Sequence, residues 1–352
     1  MNKREINIFY AGYYGFDNFG DEALLYSTRL IIDKICSKYN LDINHILLDT
    51  YYHTGFRSVN RWKFMHVLNA IRKCDIIVFG GGGVFQDRTS SLSLYYYMSI
   101  VFFAKLMKKH IVLLGQGFAS INKTLNQFLL KRLLKNISLT VRDKESSYFI
   151  DALNNKNILS SDLLFNYPFL NLESKDDSPT IYINLRTWEN NAEKKSILRF
   201  IKALIDEEEM EKIALSLSPV DRKSLNIVKE MLGIEYSKLI ELEKSPNEFI
   251  KYYKRPAFLV GMRLHSLIIA TCFGIPFIAV SNDKKLERFA LETGQQYFAP
   301  SDYNGIMLGI KKLKKDREKY EYCLKKAYSA MKKRASLNES VFEEQLNIWR
   351  KK

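Results

Sequence analysis

The chain of 352 residues holds four cysteines, Cys36, Cys74, Cys272 and Cys323, with no CxxC pair among them and no histidine at ligand spacing. Neither a zinc site nor a disulfide framework is expected, and a reducing, cytoplasmic setting fits best. No apolar signal core precedes the first strand-like run, "INIFYAG", so no export is expected. The most lipid-like stretch, "LSLYYYMSIVFFAKLM" at 92–107, falls short of the roughly 20 residues that cross a bilayer and reads as a buried helix. A G-x-G-x-x-G fingerprint, a P-loop Gly-Lys-Ser/Thr and a DxD metal motif are all missing, as are internal repeats and low-complexity tracts. Carboxylates are in deficit, with 39 Asp and Glu against 54 Lys and Arg for a formal charge of +15. That excess points to anionic partners: phosphorylated metabolites, nucleic acid or an acidic membrane surface. The strand pattern of aromatics and cations that binds RNA is also missing, so nucleic acid is not expected as a partner.

What is present reads as a folded α/β protein. Hydrophobic residues make up 47% and charged residues 26%, and the length suits two domains, each with its own core. Short apolar runs at 6–12, 45–50, 75–81, 110–117, 137–143 and 156–162 alternate with helix-length stretches. The same rhythm restarts at 180–186, 212–218, 256–262 and 276–281. Continuous apolar strands separated by helices imply parallel sheets covered on both faces, hence two Rossmann-like doubly wound domains. "NYPFLNLESKDDSPT" at 166–180 breaks the rhythm with two prolines and an acidic run, and reads as a linker between a domain over 1–168 and another over 178–352. The last stretch is helical throughout and strongly basic in "KKLKKDREKYEYCLKKAYSAMKKR". Such a tail can pack back over the first domain, its lysines forming a solvated face or a surface for anionic lipid.

In open parallel sheets ligands sit beyond the carboxyl ends of the strands, and every chemically loaded stretch falls there. "YAGYYGFDNFGDEALL" carries glycines for tight turns, with Asn18 and Asp21 as helix caps that leave N–H groups facing a cleft. "DIIVFGGGGVFQDRTS" holds four consecutive glycines, including Gly81 and Gly82, whose missing side chains leave room for a ligand; Gln86, Asp87 and Ser90 follow as partners for sugar hydroxyls, or merely solvate a loop. Arg142 in "TVRD" and Arg186 in "YINLRTW" each follow a strand and can grip a carboxylate or phosphate bidentately, or form surface pairs. "VGMRLHSLIIATCFGIPFIAV" at 260–280 places Arg263 and His265 at a strand-to-helix turn. An imidazole there can deliver a proton near neutrality, while Arg263 serves either structural pairing or an anion. Lys284 and Lys285 follow the next strand.

Taken together, "GYYGFDNFGDEALL", "GGGGVFQD", "SLYYY", "LLGQGF", "TVRDKES" and "GMRLHSLIIA" followed by "GIPFIAVSNDKK" resemble the polysaccharide pyruvyl transferase family, in order from residue 10 to about 290. The resemblance implies a GT-B-like pair of domains, phosphoenolpyruvate as co-substrate bound mainly by the second, and no further cofactor or metal. It also implies a glycan acceptor, lipid-linked in some members, with enzyme work at the inner face of the membrane and peripheral membrane association. Arg142, His265 and Lys285 match the family's functional positions; His265 is the candidate acid by its chemistry, and Arg186, Arg263 and Lys284 join Arg142 and Lys285 as candidate donor contacts by their place after strands. Asn18, Asp21, Gly81, Gly82, Gln86 and Asp87 lie on the candidate acceptor side. "SNDKK" departs from the family's "YDPK", leaving Lys284 and Lys285 as alternatives, and "GQGFAS" and "LRTW" depart from "GQGIGP" and "RPW". The rival reading is a glycosyltransferase of the same architecture with a nucleotide-sugar donor, in which Glu287 would hold the ribose.

Overall fold

The computed structural model describes residues 4–50, 53–87, 90–118, 121–168, 180–206, 210–244 and 256–351. The chain divides into two compact units, one of residues 1–16, 21–167 and 331–352, the other of 17–20 and 168–330. The expected linker lies largely outside the described residues.

In the first unit β1 (Arg4–Ala11), β2 (Leu41–Asp49), β3 (Arg57–Asn60), β4 (Ile76–Gly80), β5 (His110–Gln116), β6 (Ser138–Val141) and β7 (Ile158–Leu159) form one parallel sheet, ordered β3-β2-β1-β4-β5-β6-β7. Neighbouring strand residues face opposite sides, so the sheet feeds two cores. Phe9, Ala11, Ile77 and Phe79 pack under α2 (Phe64–Lys73), α3 (Ser91–Leu106) and α4 (Thr124–Leu134), joined by α5 (Lys144–Ala152). On the other face Ile8, Tyr10, Ile76 and Val78 meet α1 (Phe19–Lys38) and the end of the last helix.

In the second unit β8 (Thr180–Asn184), β9 (Glu211–Ser216), β10 (Lys238–Glu241), β11 (Phe258–Gly261), β12 (Phe277–Val280) and β13 (Gln296–Phe298) run parallel in the order β10-β9-β8-β11-β12-β13. Around them lie α6 (Asn191–Asp206), α7 (Pro219–Leu232), α8 (Leu264–Cys272), α9 (Lys284–Glu292), α10 (Tyr303–Lys315) and the start of α11 (Arg317–Arg350). In both units the strand order reverses beside the first strand, between β1 and β4 and between β8 and β11, which is where open sheets of this kind bind ligands.

Each strand expected from the sequence is present, and three more appear: β3, β10 and β13. One expectation needs correction. The stretch at 92–107 is only half buried: Leu94, Tyr97 and Val101 enter the core while Leu92, Phe102 and Leu106 face outward. Residues 331–352, counted by sequence with the second domain as a tail able to pack back over the first, group with the first unit. There Val341, Phe342 and Leu346 join the α1 core, and the buried Asn338 accepts from Thr140 Oγ1 (2.6 Å) and donates to Ser161 O (3.3 Å) and Asn166 Oδ1 (3.1 Å). Cutting that amide away takes a partner from the buried Ser161 carbonyl, from the half-buried Asn166 Oδ1 and from the Thr140 hydroxyl, which still accepts from Gly115 N (2.7 Å). Asn338→Ala should therefore lose about 2 kcal/mol in denaturant unfolding; a loss under about 0.5 kcal/mol, the size of an ordinary surface change, would show that the tail is not held this way.

Candidate active site

The second unit gathers its charged candidates at the carboxyl edge of its sheet. Ser218 caps α7, Pro219 opens it, and Asp221, three residues on, is wholly buried. Asp221 Oδ1 accepts from Arg263 Nε (2.9 Å) and Nη2 (2.6 Å), while its Oδ2 accepts from Asn184 Nδ2 (3.2 Å) and Leu217 N (3.3 Å). Arg263 Nη2 also donates to Ser218 Oγ (2.9 Å). One carboxylate thereby ties together the ends of β8, β9 and β11. Of the two roles open to Arg263 from sequence, this is structural pairing.

His265 stands in the first turn of α8, directly after that junction. Its ring lies so close to Gly20 that a Cβ there would overlap the imidazole, which is a physical reason for glycine at this position. The segment 17–20 is held at the same edge by a bond from Phe19 N to Leu217 O (2.9 Å), and Asn18 Oδ1 accepts from Gly20 N (3.2 Å), the capping role expected of it. Beyond β8, Arg186 is exposed. Beyond β12, Lys284 is exposed and Lys285 half-buried in the first turn of α9, whose cap is Asp283 (Lys285 N to Oδ1, 2.9 Å). The divergent "SNDKK" loop is well tethered: Asn282 Nδ2 donates to the buried Glu193 (2.8 Å), and Tyr297 Oη to Ser281 O (2.6 Å). Two helix N-termini, those of α8 and α9, thus follow adjacent strands, and each end favours negative charge.

In the first unit the glycine run has an internal cause. A Cβ on Gly80 would strike Thr28, and one on Gly81 would press on Leu24 and Leu163, so α1 packs where side chains would stand. Gly81 and Gly82 also adopt positive φ (76° and 80°). Where a ligand was the expected obstruction, the protein's own atoms already crowd Gly80 and Gly81. Asp21 Oδ1 would sit 3.3 Å from a Cβ on Gly82, and its charge, after burial, raises the pKa of the Tyr13 hydroxyl. Arg142 packs its guanidinium against Gly117 and pairs with Asp162 (3.3 Å) and Asp143 (3.5 Å). Gln86 is half-buried in the loop after β4. Asp87 turns instead to α4, accepting from Asn122 N (3.0 Å), Lys123 N (3.3 Å) and Asn126 Nδ2 (2.9 Å). Burial is the largest single influence and raises its pKa, but these three donors and the Lys123 charge together outweigh it and hold the carboxyl below its usual range. A carboxylate so occupied is a weak base, and Asp87 serves as the missing cap of α4.

One cluster escaped the sequence reading altogether. The loop after β1 is fastened by Glu22, which accepts from Gly15 N (2.7 Å), by Thr50, which donates to Gly15 O, and by the buried Arg61, which donates to Gly12 O (2.9 Å). His53 bridges Glu22 (2.8 Å from Nε2) and Asp49 through Nδ1, both carboxylates being buried. Burial disfavours the imidazolium, but hydrogen bonds to Asp49 and Glu22 and the charges of both overcome it and push the pKa up to about 10. Both ring nitrogens are taken, so the trio is an ion cluster; among the described residues no group of three or more His, Cys, Asp or Glu is arranged to hold a metal. Because the folded pKa lies above the ordinary value of about 6.5, the stabilisation is complete below that pH and fades as pH climbs toward 10. His53→Gln should lose about 2 kcal/mol at pH 6, with the gap from wild type closing between about pH 7 and 10 in thermal melts. A gap that stays constant with pH would rule out a charged His53.

Comparison with known proteins agrees with this architecture. The model of the family described as polysaccharide pyruvyl transferase matches residues 18–284. No curated protein matches the chain. Among solved structures, the UDP-GlcNAc 2-epimerase of Neisseria meningitidis bound to UDP-GlcNAc is similar at TM-score 0.64 and 14% identity, over 98% of this chain and 100% of that one. The UDP-GlcNAc 2-epimerase of Methanocaldococcus jannaschii gives 0.60 and 13%, over 87% and 92%. HepE of Anabaena in complex with UDP gives 0.53 and 11%, over 98% and 99%. At such identities the likeness shows the GT-B-like fold and nothing of the substrate. With its two Rossmann-like sheets and a family match that spans both, this chain belongs to the polysaccharide pyruvyl transferase family.

Proposed function

We propose that the protein transfers the pyruvyl group of phosphoenolpyruvate to two hydroxyls of a glycan, closing a pyruvate ketal and releasing phosphate. The observation that carries the proposal is His265 in the first turn of α8, behind a junction locked by Asp221 and beside the N-terminus of α9 with Lys284 and Lys285. Phosphoenolpyruvate brings a carboxylate and a phosphate. Arg186, the two lysines and the helix N-termini offer cations and N–H dipoles to both. Arg142 is the first unit's candidate anion contact, already partly neutralised by Asp162 and Asp143.

In this reading His265 gives a proton to the methylene carbon, which becomes the methyl group and leaves C2 electron-poor. A sugar hydroxyl adds to C2 and sheds its proton; a second hydroxyl then displaces phosphate. Of the two hydroxyl protons, one restores His265 and the other leaves with phosphate. Asp21 is the first-unit carboxylate proposed on the acceptor side, together with Asn18, Gln86 and the glycine loop. The glycan being lipid-linked and the enzyme working at a membrane's inner face belong to the same proposal.

The test is to incubate the protein with phosphoenolpyruvate and a panel of glycosides, measuring phosphate release and product mass, beside a parallel arm with UDP-sugars. Acceptor-dependent phosphate and a pyruvate-sized mass gain are expected, and His265→Asn should cut turnover by about 10³-fold with melting unchanged. Consumption of a UDP-sugar in place of phosphoenolpyruvate, or an active His265→Asn variant, would contradict the proposal.

A further inference from the structure

Residues 50–142 contain fourteen Lys and Arg and only two carboxylates, Asp75 and Asp87. Both are engaged in backbone bonds, Asp75 with Asn7 N (2.8 Å) and Asp87 with the start of α4. This segment includes α2, α3 and α4, which share one face of the first sheet. Among the described residues no carboxylate pairs with a Lys or Arg of these three helices. Lys105 and Lys109 instead donate to carbonyls, of Lys135 (2.7 Å) and of Arg72 and Cys74 (2.7 and 2.8 Å).

The same face is unusually apolar on its outside. Trp62 is 74% exposed, Phe64 58%, Phe102 51% and Leu106 67%. They adjoin one another, since Phe64 meets Phe103 edge-on at 5.6 Å and Phe103 meets Phe102 at 5.4 Å. Along α3 the outward positions Leu92, Tyr95, Ser99, Phe102 and Leu106 recur at helical spacing and carry no charge. Between α2 and α3 opens a groove of about 280 Å³ whose walls include Trp62, Val67, Ile71 and Phe103. A large apolar patch edged by cations and stripped of carboxylates would be costly in water, and it suits a surface that offers hydrocarbon beneath phosphates. Nucleic acid would use the cations but has no claim on Phe102 and Leu106.

We propose that the α2–α3 face docks the protein on an anionic lipid membrane, Trp62, Phe64, Phe102 and Leu106 entering the boundary between headgroups and acyl chains while Lys63, Lys73 and Lys108 meet lipid phosphates. The binding is peripheral: among the described residues no helix is long and apolar enough to cross a membrane. The assignment moves the lipid surface away from the basic C-terminal helix. There Asp316, Glu318 and Glu321 are interspersed among the cations, and the apolar stripe of Val341, Phe342, Leu346 and Trp349 is already spent on the first core. The inference does not depend on the donor chemistry, because its readout needs no turnover.

The experiment is flotation of the full chain with phosphatidylcholine vesicles containing none or about 30% phosphatidylglycerol, followed by Trp fluorescence. Wild type should float with the anionic vesicles only, with a blue shift that Trp62→Phe removes. Phe102→Glu/Leu106→Glu should bind at least about tenfold more weakly at an unchanged melting temperature, since two exposed apolar side chains would be kept from hydrocarbon. Leu308→Glu, exposed in the second unit, should float like wild type. Flotation undiminished in the double variant, no blue shift of Trp62, or a wild type that binds DNA but ignores anionic vesicles would each overturn the proposal. So would a dimer that is lost in the double variant while wild type ignores vesicles, because the patch would then be covered by a second copy.

Discussion

The second unit depends on one buried carboxylate. Asp221 receives Arg263, Asn184 and the Leu217 amide at once, so that the ends of three neighbouring strands are pinned to a single point. Charge inside a protein is tolerated only when every lone pair finds a donor, and this one does so by recruiting groups from β8, β9 and β11. The consequence is positional. α8 must start where Arg263 is held, and His265, two residues on, inherits that placement together with its contact to Gly20. Removing one member of such a pair typically costs about 3–5 kcal/mol, far more than a surface ion pair.

The first unit solves a like problem with other residues. Its β1 loop buries Tyr14 in the core, and Glu22, Thr50 and Arg61 add polar bonds to the backbone. Two buried carboxylates so near one another would repel; the His53 imidazolium between them makes the arrangement tolerable. Both sheets therefore keep a polar cluster under the strand ends and leave the upper surface to Asp21 and Gln86 in one unit and to Lys284 and Arg186 in the other. Rigid polar support beside less buried chemical groups is what a site that must orient charged reactants requires.

Much of this was legible in the chain. The central strands announce themselves as apolar runs because both their faces are buried, and the expectation of two Rossmann-like sheets rests on them. "RSVN", "KLIE" and "QYF" announce nothing: β3, β10 and β13 are short sheet-end strands, half wetted, whose pairing comes from a neighbour and not from their own pattern. His265 and Arg263 were visible as polar residues stranded in an apolar run. Their partners were not, since Asp221 lies 42 residues away in a helix start where an acid is ordinary. His53 was hidden for the same reason, its carboxylates being 31 and 4 positions distant. The apolar helix at 92–107 misled because hydrophobicity marks what a segment can bury against, and α3 has apolar residues on its outer side as well.

Under the proposed reaction, the most direct measurement of the central claim is steady-state phosphate release by Asp221→Asn, a change that keeps the shape of the side chain and removes its charge. If Asp221 sets the place of His265 through Arg263, kcat falls by about 10²-fold or more, KM for phosphoenolpyruvate moves far less, and the protein remains folded though less stable. A folded variant with wild-type kcat would contradict the account, because the histidine would then hold its position without the clamp.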